Sequence, residues 1–293
     1  MNQQVIEEMR ASGNYRVVER FTPVTEYHPR TDKKLKIGIY IDTECTGLNQ
    51  KTDKVIELAM VPFEYDDEGN IYRILPAYND LQDPGMPITE RITQLTGIND
   101  AMVSGQSIDV ERVEIMLARA EIVVAHNARF DRPFCEGISD AFKNIAWACS
   151  FANVNWQKEG IESAKLEYIA YRYNFFYEGH RATIDCQAGI HVLAQKLLNS
   201  GTPVLKQLID NMQQIECKLW AVYAPFEKKD VLKARGYRWS TGQDGNPKAW
   251  YTEIAEDKVD NEISYLVDNI YTKPIKDLPI TKIDALKRYS LRV

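Results

Sequence analysis

The sequence predicts an α/β protein: a mixed sheet flanked by helices, followed by a small C-terminal αβ module. Three observations carry this. Three short β-rich apolar runs joined by tight turns open the main domain. Amphipathic helical segments then alternate with a further buried strand, giving the order βββ-α-β-α-α. Beyond residue 217 the helical pattern gives way to a strand, a helix and a hairpin rich in tryptophan and lysine.

The elements follow in order. Residues 1–34 read as an amphipathic helix and a polar stretch, an arm whose apolar side would draw on Val5, Met9, Tyr15, Val18 and Phe21. KIGIYID (36–42) and VIELAMVPFEY (55–65) are strands, and the turn DDEGN (66–70) joins the second to IYRILPAYN (71–79) as a hairpin. PGMPIT (84–89) is a loop, after which a helix starts at the N-cap Thr89 and stops at Gly97. Residues 108–119 form a second amphipathic helix and EIVVAHN (121–127) a short buried strand. Further helices open near Ala128, at Ser163 and over 181–198. Residues 201–217 are expected to be a linker and 218–272 a module of strand (219–225), helix (226–236) and hairpin (237–254). The last stretch, 273–293, with Pro274 and Pro279, reads as a docked or frayed tail.

Composition narrows the class. The 293 residues, 44% hydrophobic and 27% charged, suit about two soluble domains and exclude a largely disordered chain. No run reaches the ~18 apolar residues of a membrane span, and the polar start MNQQVIEEMR is no signal peptide, so a cytoplasmic protein without membrane contact is expected. Five cysteines without a C-x-x-C pair argue for reduced thiols over disulfides or a zinc ribbon. The net charge of −6 is unevenly spread: 22 basic and 31 acidic side chains over 1–217, against 14 and 11 over 218–293. The C-terminal part therefore meets polyanions more readily than the body.

The most informative segment is YIDTECTG (40–47). Asp42 and Glu44, at i and i+2 near the end of an apolar strand, project from one sheet face. AHNARFD (125–131) sets Asp131 four residues after Asn127 at the start of a helix, and GHRATID (179–185) sets Asp185 in another first turn, five residues after His180. Two bare carboxylates ~4 Å apart repel by about 4 kcal/mol at an effective dielectric of 20. Four at the ends of elements that pack together need cations. Arg129 and Arg181 could pair with them; Mg²⁺ or Mn²⁺, which prefer oxygen ligands, are the sharper reading.

The ordered set DTECTG, HNARFD and HRATID resembles the three motifs of the DnaQ-like (DEDDh) 3′–5′ exonucleases, and PGMPITERITQLTGINDAMV is similar to that family's loop and helix. The resemblance covers about 36–198. It implies a ribonuclease H-like fold over 35–200, with Asp42, Glu44, Asp131 and Asp185 as metal-binding acids for two Mg²⁺ or Mn²⁺ ions and His180 as general base. It also implies a nucleic acid with a free 3′ end as partner, DNA before RNA, cut to nucleoside 5′-monophosphates. The chemistry fits: in-line phosphodiester attack needs an activated water and charge relief on the leaving oxygen. Thr46 and Gly47 are expected to meet the terminal nucleotide, Leu48 and Phe130 to wedge or stack against bases, and Asn127 to hydrogen-bond a metal water or the substrate. His126 reads as a satisfied core histidine, and helical spacing favours core packing for Phe130 and Phe134.

Residues 218–254 hold Trp220, Trp239 and Trp250 with Tyr223, Tyr237 and Tyr251, interleaved with Lys228, Lys229, Lys233, Arg235, Arg238 and Lys248. The pattern is similar to small modules of DNA-processing proteins, HARP-like domains among them. Nucleic-acid backbone contact plus stacking is one reading, a tiny core built of tryptophan the other. The function expected overall is a stand-alone repair, degradation or defence exonuclease. The alternative is a catalytically idle nucleic-acid- or partner-binding module on the same fold.

Overall fold

A computed structural model describes residues 3–179, 181–243, 245–271 and 277–293. The chain divides into a first unit up to Met212 and a second from Gln213 to Val293.

In the first unit, a helix α1 (Gln3–Ala11) and a two-residue strand β1 (Glu19–Arg20) precede β2 (Lys36–Cys45), β3 (Val55–Tyr65), β4 (Ile71–Ile74) and β5 (Tyr78–Leu81). Helices α2 (Glu90–Thr96), α3 (Asp100–Val103) and α4 (Val110–Leu117) follow, then β6 (Ile122–Ala125), α5 (Ala128–Ile138) and β7 (Ala146–Cys149). α6 (Leu166–Arg172), β8 (Phe175–Phe176), α7 (Ala182–Leu193) and α8 (Val204–Gln213) complete it.

The main sheet runs β4-β3-β2-β6-β7, with β5 also on β3. β2 is antiparallel to β3 and parallel to β6, and β6 is parallel to β7, so the sheet is mixed as expected. β2 and β3 form its floor because their apolar residues are buried on both faces: Ile39, Ile41, Ile56, Leu58, Met60 and Phe63 have no solvent exposure. α7 lies on the face that carries Tyr40. Gly189 is the reason it can approach: a β-carbon there would sit 2.2 Å from the Tyr40 ring. α5 reaches the same strand end from the other side, where its Asp131 accepts hydrogen bonds from Thr43.

Several expectations shift. The single strand expected over 71–79 is two, because Leu75 and Pro76 interrupt it; both pieces pair with β3. The expected 201–217 linker is largely helix α8, whose Val204, Leu205 and Leu208 are buried. The apolar side expected of the N-terminal arm is not all covered: Val5 and Tyr15 are exposed, whereas Phe21 packs beside Phe175 and His191. All five cysteines are buried and unbridged. Among the described residues no helix is long and apolar enough to cross a membrane.

The second unit is an antiparallel sheet, β10-β11-β9-β12, built from β9 (Glu216–Ala221), β10 (Arg238–Trp239), β11 (Trp250–Ala255) and β12 (Ile280–Ile283). Helices α9 (Lys229–Ala234) and α10 (Val259–Asn269) supply Leu232 and Leu266 to a core with Leu219, Ala221, Tyr237 and Ile270. Part of the expected tail is therefore sheet, since β12 pairs with β9 through Ile280–Ile283. Pro274 and the Asp244 turn position lie outside the described residues.

Candidate active site

The site forms where β2 ends. Alternation puts Tyr40, Asp42 and Glu44 on the α7 side of the sheet, and a bulge directly after Glu44 breaks the pairing with β3. Asp185 comes from the first turn of α7. Ligand oxygens of Asp42, Glu44 and Asp185 lie within 4.8 Å of one another. Asp131, 2% exposed, arrives on α5; its Oδ1 accepts from the Thr43 amide at 3.1 Å and the Thr43 hydroxyl at 2.8 Å. Asp185 accepts from the Arg181 amide at 3.1 Å. His180 lies outside the described residues.

Gathering acids in a poorly hydrated place raises their proton affinity. Burial, then Asp131, Asp185, Glu44 and Glu57, push the Asp42 carboxyl well above the usual carboxylate range. Burial, then Asp185, Glu57 and Asp131, push Glu44 up to about 8, with Arg181 opposing. Burial raises Asp131 to about 7 against the two Thr43 hydrogen bonds. An all-carboxylate donor set with this much mutual repulsion fits a hard divalent cation, which would favour the ionised forms.

One member was missed in the sequence. Glu57, 1% exposed, stands opposite Glu44 across the β2–β3 pair. It accepts from Asn79 at 3.0 Å and from the Ala182 amide at 3.3 Å, and Arg181 lies 3.5 Å away. It therefore fastens the start of α7, and with it Asp185, to β3. The signal was present: a single acid within the apolar run VIELAMV.

A cleft of about 320 Å³ opens beside the acids, lined by Asp42, Asp185, Asn127, His126, Phe151 and Tyr177, among others. Asn127, expected to contact substrate, is at its edge and adopts a left-handed φ of 74°, leaving its amide uncommitted to helix capping. His126 differs from the satisfied core histidine expected. Its Nδ1 bonds Ser150 Oγ at 2.8 Å, which also bonds Tyr40, but its Nε2 is buried with no hydrogen-bond partner among the described residues. Burial lowers its pKa to about 4, so the ring is neutral at pH 7.

The remaining expected contacts separate. Leu48 projects into solvent, 82% exposed. Thr46 is buried and accepts from the Lys54 amide. Gly47 makes room for Asp53, whose Oδ2 would be 2.4 Å from any β-carbon there. Phe130 packs its ring 5.1 Å from that of Phe134.

The model of a family described as Exonuclease (RNase_T) matches residues 39–193, more than half the chain. The chain is a member of the DnaQ-like exonuclease family. Among curated proteins, this exonuclease-family chain is similar to DNA polymerase III PolC-type of Lacticaseibacillus paracasei, 29% identical over 188 residues, or 60% of the chain and 12% of that protein. It is also similar to the PolC-type polymerase of Halalkalibacterium halodurans, 33% identical over 131 residues, 43% of the chain and 7% of that protein. The chain thus spans about an eighth or less of these relatives' length. Among solved structures, E. coli Exonuclease I in complex with a 5cy-dT13 oligonucleotide has a TM-score of 0.50 at 14% identity, covering 75% of this chain and 63% of that one. That likeness speaks to the fold, a ribonuclease H-like mixed sheet flanked by helices.

Proposed function

We propose that this chain is a divalent-metal-dependent 3′–5′ exonuclease, hydrolysing nucleic acid from a free 3′ end to nucleoside 5′-monophosphates by a two-metal mechanism. The observation that carries the reading is the convergence of Asp42, Glu44 and Asp185 within 4.8 Å, three acids from two distant stretches of sequence. These three, with Asp131 beside them, would hold Mg²⁺ or Mn²⁺. When bound, such ions relieve charge on the leaving 3′ oxygen and lower the pKa of a bound water.

The chain's own groups do the rest. His180 takes the proton from the attacking water, a task that suits an imidazole near neutral pH. The Asn127 amide donates to the substrate phosphate from the cleft edge. Thr43 holds the Asp131 carboxylate oriented, and Glu57 holds the first turn of α7. Of the residues expected at the terminal nucleotide, the exposed Leu48 is the one free to meet it. DNA is favoured over RNA because the similar curated proteins are DNA polymerases and the similar solved structure holds an oligothymidylate.

The test is a time course on 5′-labelled single-stranded DNA, duplex DNA and RNA of one sequence, with Mg²⁺ or Mn²⁺. A ladder shortening from the 3′ end, fastest on DNA and lost in Asp42→Ala and His180→Ala, is the expected result. If either variant keeps near-full hydrolysis while folded, the assignment of roles fails. Mn²⁺ binding by the wild type without turnover on any strand would instead mark an idle binding module.

A further inference from the structure

The exonuclease reading leaves the second unit without a task, and its surface is unusual. The stretch 218–250 holds seven basic and three acidic side chains, with Lys218 alone of the basic ones buried. β9 ends at Ala221 opposite Trp250, which pairs in turn with Trp239 at the end of β10. Residues 222–228 and 240–243 therefore leave the sheet at one end, where 245–249 return to it. Tyr223 is 91% exposed there, Phe226 73% and Trp239 49%.

The need for a small core does not account for these three. Trp220 and Tyr237 are buried, and Trp250 packs against the core cluster. Tyr223 also holds a left-handed φ of 58°, which a side chain of its size adopts only at a cost, with its ring in solvent. The cations of the unit are sorted likewise. Arg235 is committed to Glu262 by two hydrogen bonds of 2.8 Å, and Arg238 pairs with Glu253 at 3.1 Å. Lys229, half-buried, instead rests its ammonium 4.3 Å from the centre of the exposed Phe226 ring, and Lys248, itself exposed, lies against Gly242.

We propose that this end of the second sheet binds single-stranded nucleic acid, with bases stacking on Tyr223, Phe226 and Trp239 and phosphates meeting Lys229 and Lys248. Exposed rings, one of them with an ammonium 4.3 Å from its centre, suit a strand in which every base offers a π-face and every linkage a charge. The site goes beyond the exonuclease reading and does not depend on it, since holding a strand needs no hydrolysis.

The test uses the full chain in EDTA with fluorescent oligothymidylates of about twenty and about four nucleotides, read by anisotropy. In a Tyr223→Ala/Phe226→Ala double variant, affinity for the long strand is expected to fall about 10-fold or more, since each lost stacking partner counts. In Lys229→Gln/Lys248→Gln the slope of log K against log salt should flatten by about 1.4, or ~0.7 per phosphate contact. Affinity for the short strand should fall in the same direction, while cleavage of a chromogenic thymidine phosphodiester with Mn²⁺ should stay at wild-type level in both. Failure of that cleavage in the wild type would count against the exonuclease reading alone. Long-strand affinity and salt slope unchanged in both double variants would overturn the proposal and leave these side chains to a protein partner.

Discussion

Without metal, the gathered acids should weaken the fold as pH rises, and Glu44 sets the scale. Its carboxyl, moved by burial and by Asp185, Glu57 and Asp131 from 4.5 to about 8, keeps its proton in the folded chain where the unfolded chain has released it. A folded-state pKa raised in this way gives a stability contribution that is complete below the unfolded value and lost as pH climbs through about 8. At ~1.36 kcal/mol per pH unit the interval sets an upper value of about 5 kcal/mol. Glu44 keeps some solvent access, so about half of that, ~2–3 kcal/mol, is expected. For a domain of this size that is a fall of about 5–10 °C in Tm. The assay is a thermal melt in EDTA at steps from about pH 5 to about pH 8.5, repeated with Mn²⁺. Tm should fall along the series, Mn²⁺ should restore it most at the alkaline end, and Glu44→Gln should melt above wild type in EDTA there while gaining little from Mn²⁺. A metal-free wild-type Tm that is level or rising across the window, with Glu44→Gln no more stable, would refute the reasoning.

Three further outcomes follow from the same geometry. Thr43→Val removes the 2.8 Å hydroxyl donor from Asp131, a charge-assisted bond worth ~1.5–3 kcal/mol; the acid limb of a rate–pH profile should move to higher pH. Glu57→Ala leaves the buried Ala182 amide unpaired and releases Arg181, at ~1–3 kcal/mol, so the melt should fall and hydrolysis weaken as Asp185 loses its fixed position. Gly189→Ala drives a methyl to within 2.2 Å of the Tyr40 ring, which is buried and has nowhere to turn, so urea unfolding should show a loss of ~1–3 kcal/mol.

Much of the fold and part of the site could be read from the sequence, for local reasons. Thr89 and Gly97 punctuate α2 as N-cap and left-handed C-cap, and alternation in IYIDTE is enough to put Asp42 and Glu44 on one face. What escaped depends on pairing between distant segments. β7 is four residues long and carries little pattern, yet it is fixed by its parallel register with β6. α8 is amphipathic but sits between glycine and proline on one side and a strand on the other, which reads as linker composition. Glu57 lies in an apolar strand run and only the register puts it across from Glu44, and nothing local to His126 shows that Ser150 takes only one of its nitrogens. The small unit's tryptophans likewise sort into buried Trp220 and half-exposed Trp239 only once β9, β10 and β11 are paired.

The most direct measurement is a crystal of the full chain grown with Mn²⁺, with anomalous differences collected at the manganese edge. Peaks at the carboxylate oxygens of Asp42, Glu44 and Asp185 are predicted, vanishing in Asp42→Ala. Well-ordered side chains with no anomalous peak between them, or manganese bound only elsewhere, would contradict a shared metal centre.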